Sequence, residues 1–172
     1  MTEIEVYYNN KKIQNNEFIT PIESENTPTI NIKSYPSKIY TLLMYDPDAV
    51  KGTHIHWLII NINNNNINNG KIILSYKGPA PPVKSGKHRY IFELYEQDKL
   101  IDTEDINERN VSVDVVKNKL SISNYISKIQ FISENINGGR KYRTKKNIKY
   151  KTNKKSRKHK INKKRLTKRK YY

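Results

Sequence analysis

The chain has 172 residues, no cysteine and a formal net charge of +17. Disulfides and thiolate metal sites are therefore excluded, and no apolar run approaches the roughly 18 residues that span a bilayer. The charge is not spread evenly: 18 of the 33 Lys and Arg residues fall between Arg140 and Tyr172, where there is no Asp or Glu, leaving 15 basic against 16 acidic residues in 1–139.

That split predicts a near-neutral folded domain over 1–137 and a basic tail over 138–172. The start, MTEIEVYYNN, has no basic segment followed by an apolar run, so it does not read as a secretory leader. The expectation is a cytoplasmic, nuclear or virion-associated chain that is not secreted. Asn110-Val111-Ser112 then reads as a chance tripeptide rather than a glycosylation acceptor. The heavy use of Asn, Lys, Ile and Tyr is that of an AT-rich genome, such as a parasite's or a virus's.

Short strands dominate the domain. Lys38–Tyr45 (KIYTLLMY) is apolar enough for a buried strand and ends at the turn signal Asp46-Pro47-Asp48. His56–Asn63 (HWLIININ) follows. Strict alternation places His56, Leu58, Ile60 and Ile62 on one face, with Trp57 and Ile59 on the other. Both faces are apolar, as in the middle of a sandwich. Asn63–Gly70 reads as a polar, hairpin-like excursion, and Lys71–Tyr76 as a further strand.

Prolines 79, 81 and 82 stiffen the next loop, and Gly86 permits a sharp bend before a strand over Arg89–Glu96. Val113–Leu120 (VDVVKNKL) suits a short helix with Ser112 or Asp114 near its start, and Tyr125–Ser133 suits a last strand. Gly138-Gly139 ends the pattern.

The chemistry gathers in three segments: Asp46 and Asp48 after one strand, His54 and His56 at the start of the next, and His88 and Tyr90 opening a third. Two-residue spacing puts His88 and Tyr90 on one strand face and Arg89 on the other. Imidazolium N–H, tyrosine O–H and loop N–H groups are the donors a phosphate needs, and an Asp beside a His orients the ring and favours its charged form. Taken singly, His56 reads equally as a strand-end cap and His88 as a partner for a backbone carbonyl. Asp46, His54, His56 and His88 also offer a metal-ligand set, set aside because an anion site accounts for the Asp–His pair. Hydrolysis finds no evident nucleophile: there is no Cys and no G-x-S-x-G elbow, and Ser85 precedes Gly86 in a plain turn.

Four motifs then occur in order: DPDA (Asp46–Ala49), HWLIIN (His56–Asn61), GPAPP (Gly78–Pro82) and GKHRYIFELYEQ (Gly86–Gln97). Over about Thr27–Glu134 they resemble the phosphatidylethanolamine-binding protein family, which includes Raf kinase inhibitor proteins. The resemblance implies a mainly β fold, an antiparallel β-sandwich with one or two short helices, and an anion pocket at one end of the strands. It places Asp46, His56, Pro81, Pro82, His88 and Tyr90 at that pocket, with Asp48, His54 and Gly86 as secondary candidates. Val50 stands where the family has proline, and the protein-recognition loops are short.

The tail has few aliphatic residues and no amphipathic period, so it reads as disordered on its own. Arg140, Lys141, Arg143, Lys145, Lys146, Lys154, Lys155, Arg157, Lys163, Lys164, Arg165, Lys168, Arg169 and Lys170 are its candidate nucleic-acid contacts. Tyr142, Tyr150, Tyr171 and Tyr172 are placed to stack on bases. A solubility role and nuclear import are further readings of the same residues. The sequence thus points to a non-enzymatic module, without a cofactor, that binds a phosphate or phosphorylated head group and carries a sequence-nonspecific nucleic-acid-binding tail. The alternatives are a regulatory inhibitor of a host kinase or protease, and a packaging component with a vestigial pocket.

Overall fold

The computed structural model describes residues 3–34, 37–103 and 106–136. The tail contacts and the boundary at 137/138 lie outside them. Among the described residues nine strands run in chain order: β1 (Glu3–Tyr8), β2 (Lys11–Lys12), β3 (Glu17–Phe18), β4 (Thr29–Lys33), β5 (Ile39–Asp46), β6 (His54–Ile62), β7 (Lys71–Leu74), β8 (His88–Gln97) and β9 (Asn124–Ser133). A 3-10 turn at Ile67–Asn69 closes the Asn-rich excursion, and one helix, α1 (Val113–Leu120), precedes β9.

The strands form two sheets, ordered β2-β1-β4 and β3-β9-β8-β5-β6-β7. The small sheet and the edge strand β3 are not read from the sequence, although EIEVYY and TINIK alternate well: Ile4, Val6, Tyr8, Ile30 and Ile32 are all buried. Pairing is antiparallel except that the two-residue edge strand β3 runs parallel to β9.

One core lies between the sheets. Ile4, Val6 and Tyr8 pack with Leu42, Met44, Trp57, Ile59, Phe92 and Phe131. A second covers the opposite face of the large sheet, where Leu43, Leu58, Ile60 and Ile91 meet Val116 and Leu120 of α1. The central sheet is thus apolar on both faces, which accounts for the near-continuous burial of β5, β6 and β8. Ser112 caps α1, its Oγ accepting the Val115 N–H at 3.3 Å.

β6 departs from simple alternation. Met44 pairs with Trp57 but Tyr45 pairs with Ile55, so His56 is an extra residue at a β-bulge. A second irregularity, between the Tyr40–Ile62 and Leu42–Ile59 pairs, coincides with Asn61 at φ 59°. The face assignment made from spacing is therefore corrected. Leu58 and Ile60 face the helix-side core, whereas Ile62 joins Trp57 and Ile59 in the core between the sheets.

Candidate functional site

The bulge decides where the histidines point. It brings His54 and His56 to the same end of the large sheet, their ring centroids 4.9 Å apart. On the neighbouring strands, Asp46 closes β5 and His88 opens β8. His88 and Tyr90 share a face as the spacing predicts: Tyr90 stacks on Phe131 in the core between the sheets, while Arg89 turns away. The Pro-rich loop after β7 folds over this end. Gly78 permits its close approach, because a Cβ there would stand 2.9 Å from the Glu25 carbonyl oxygen. Gly86, at φ +84°, makes the bend into β8.

The result is a cleft of about 270 Å³. Asp46, His54, His56, Pro81, Pro82, His88 and Tyr90 all line it, as do Lys51, Lys77 and Asn110. Asp48 and Gly86 do not. Asp48 instead receives the Arg89 backbone N–H at 2.9 Å and grips its guanidinium at 2.7 and 2.8 Å. That guanidinium holds the Asp48 carboxyl below its usual range.

His56 donates its Nδ1–H to the Lys77 carbonyl at 2.6 Å, and Lys77 N–H returns a bond to the His56 carbonyl at 2.9 Å. This pair ties the loop to the bulge and fixes the tautomer, leaving Nε2 as an acceptor. Burial pushes the ring pKa down to about 4, reinforced by neighbouring His54, Lys77 and Arg109. The expectation of an imidazolium donor at His56 is therefore corrected: near neutral pH this ring is neutral.

His88 holds the Asp partner instead. Its Nδ1 lies 2.7 Å from Asp46 Oδ2, with both side chains almost fully buried. Asp46 Oδ1 accepts the Asp48 N–H at 2.8 Å, so DPD closes as an Asx turn. The Tyr90 hydroxyl is pushed above its usual range by burial first, and then by the Asp46 charge. On its other side, His88 Nε2 lies 2.8 Å from Ser85 Oγ. The plain-turn reading of Ser85 is thus also corrected.

Positive charge at the cleft comes from residues outside the motifs. The Lys77 ammonium lies 3.3 Å from His54 Nε2, and His54 Nδ1 lies 2.6 Å from Asn110 Oδ1. Next to Asn110, the Arg109 guanidinium donates to the carbonyls of Ile55 and His56, both at 3.1 Å, and of Ser75 at 2.8 Å. Arg109 thereby clamps the bulge from outside. Arg109 is not singled out in the sequence, and Asn110 reads only as the start of a chance tripeptide. Among the described residues no group of three or more His, Asp or Glu side chains has the arrangement to hold a metal ion.

A family model described as phosphatidylethanolamine-binding protein matches residues 9–130, most of the chain and all four motifs. The chain belongs to the phosphatidylethanolamine-binding protein family. It is 32% identical over 107 residues to a 26 kDa secreted antigen of Toxocara canis, covering 59% of this chain and 41% of that one. It is 33% identical over 102 residues to a putative odorant-binding protein A5 of Drosophila melanogaster, covering 56% and 49%. The chain thus spans about half the length of these curated relatives. Among solved structures, a carboxypeptidase Y inhibitor complexed with its cognate proteinase shares the fold, with a TM-score of 0.68 at 19% identity over 77% of this chain and 83% of that one.

These relatives overturn the expected location. One is named as secreted and another as odorant-binding, so the exclusion of secretion does not stand. The physical reason is simple: a sandwich without cysteine takes nothing from the redox state of its compartment, and its core does not record one.

Proposed function

We propose that the chain is a non-enzymatic module that holds a phosphate or phosphorylated head group in the cleft of Asp46, His56, His88 and Tyr90. The observation that carries this reading is the convergence of these side chains, from three adjacent strands and one Pro-rich loop, on a single cleft edged by the Lys51 and Lys77 side chains. Lysine ammonium groups and a tyrosine hydroxyl are suited to phosphate oxygens, while the neutral His56 Nε2 suits a phosphate proton. Titration of the full-length chain with phosphate or phosphoethanolamine, followed by NMR, tests it. Saturable shifts around the cleft that disappear in His88→Ala support the reading, and unchanged spectra at millimolar ligand refute it.

The second part of the proposal concerns residues 138–172, taken as a polyanion-binding appendage to a domain of 1–137. With about ten charges on phosphates, the logarithm of affinity should fall against log salt with a slope near −9 for duplex DNA or −7 for single strands. Binding should be nearly indifferent to base sequence. Anisotropy measured with the full chain and with one cut after Asn137 checks this; equal affinity would refute it.

A second reading, inhibition of a protease or kinase through the cleft rim, is favoured by the exposure of Val50 and Val83 beside the cleft, at 74% and 44%. Stoichiometric co-purification of a single enzyme that is lost in Val50→Asp would favour it over ligand binding alone.

A further inference from the structure

Ser85, His88 and Asp46 stand in line. Ser85 Oγ is 2.8 Å from His88 Nε2, and His88 Nδ1 is 2.7 Å from Asp46 Oδ2. The carboxylate receives the Nδ1 proton, which leaves Nε2 to accept. The Ser85 hydroxyl also donates to the Pro82 carbonyl at 2.7 Å, beside the Ser85 backbone N–H at 3.1 Å. A carbonyl accepts two such bonds, so the hydroxyl proton rests on Pro82 and reaches His88 Nε2 by rotation about the Cβ–Oγ bond, with Oγ already at 2.8 Å. A hydroxyl on an imidazole, with the imidazole fixed by a buried carboxylate, is the arrangement that activates a serine.

The three residues differ in exposure as this role requires. Asp46 and His88 are 3% and 2% exposed, so their geometry is held by packing. Ser85 is exposed, at the solvent side of His88 and outside the cleft lining. It sits between Lys84 at φ 66° and Gly86 at φ +84°. Among the described residues nothing accepts the backbone N–H of Gly86, the residue after the serine. A free N–H at that place can meet the oxygen on which charge develops.

We propose that Ser85 is an activated serine that takes an acyl or phosphonyl group from an electrophilic ester or fluorophosphonate. In the fluorophosphonate reaction the Oγ–P bond forms and the P–F bond breaks. The hydroxyl proton passes to His88 Nε2, Asp46 holds the Nδ1 proton, and fluoride leaves with the proton returned from His88. The proposal concerns adduct formation at Ser85, and it shares His88 and Asp46 with the phosphate site proposed above.

The test treats the full chain with a fluorophosphonate probe and maps the adduct by peptide mass spectrometry. Exposed Ser123 serves as an internal standard on the same molecule. Labelling at Ser85 should exceed that at Ser123 by at least about a hundredfold, the lower range for a positioned general base. It should vanish in Ser85→Ala and fall by a similar factor in His88→Gln, with circular dichroism confirming that each variant is folded. Absence of a Ser85 adduct, labelling equal to Ser123, or labelling undiminished in folded His88→Gln would each overturn the proposal. The first two comparisons use the unaltered chain, so they hold even if His88→Gln does not fold.

Discussion

Removing Arg109 should both weaken the domain and disturb His56. In Arg109→Ala three carbonyls lose a charged donor: Ile55, His56 and Ser75. A hydrogen bond from a charged group contributes about 1.5–3 kcal/mol. Two of the three are discounted, because the His56 carbonyl keeps the Lys77 N–H and Ser75 is open to water. The total is then about 2–3 kcal/mol. At roughly 2–4 °C per kcal/mol for a chain of this size, the melting temperature should drop by about 5–10 °C. The bulge at His56 should also loosen, so the ring 15N signals of His56 should move toward a mixture of tautomers. Arg109→Lys should recover less than half of the loss, since one ammonium cannot reach three carbonyls with a planar fork. Thermal melts followed by circular dichroism, with ring NMR of the variants, provide the assay. A melting temperature within about 2 °C of the parent, with unchanged His56 signals, would refute the clamp.

Stability should fall between pH 6.5 and 4. The unfolded chain protonates His56 near 6.5, whereas the folded chain resists until about 4, so the contribution is full above the unfolded pKa and is lost as pH falls. Its size is about 3 kcal/mol, and urea melts of His56→Gln should show a flatter profile in that window. Glu5, held at about 2 mainly by hydrogen bonds from Lys12 and Lys33, acts in a lower window: its contribution is present above 4.5 and lost toward 2, so Glu5→Gln should change only the acid limb. Gly78→Ala should cost roughly 1–3 kcal/mol in denaturant melts, because its Cβ meets the backbone of Ser24 and Glu25 rather than a side chain able to move. Phosphate should shift the His56 ring signals at concentrations at least about tenfold below sulfate, since neutral Nε2 accepts a proton that phosphate carries and sulfate lacks; equal half-points would show that Nε2 takes no part.

The motifs made most of the site legible, because a strand start fixes the direction of its first side chains. His88 and Tyr90 stand on one face as period two requires, and Asp46 meets them from the end of β5. What escaped the sequence had no period to reveal it. A bulge adds one residue without changing composition, so alternation misassigned Ile62 and could not say that His56, rather than His88, gives its Nδ1 proton to a carbonyl. Arg109 and Asn110 act through backbone carbonyls and a ring nitrogen, partners that lie on β6 and at Ser75, far from them in sequence. Lys77 looked like one more lysine in a Lys-rich chain, yet its carbonyl and ammonium hold two different histidines. The small sheet was missed for another reason: EIEVYY alternates cleanly, but acidic residues at two of its six positions masked a strand whose Glu5 is itself buried beneath Lys12 and Lys33.

The most direct measurement is a phosphate titration of the full-length chain read at its imidazoles. The sequence holds four histidines, so the ring nitrogens of His54, His56 and His88 can be followed individually beside that of His159. The expected result is an Nδ1–H tautomer at His56 in the free protein and saturable shifts at His56 and His54 sharing one half-point, lost in Lys77→Met or Tyr90→Phe. Shifts confined to His159, or growing without saturation at all four rings, would contradict a phosphate site in the cleft.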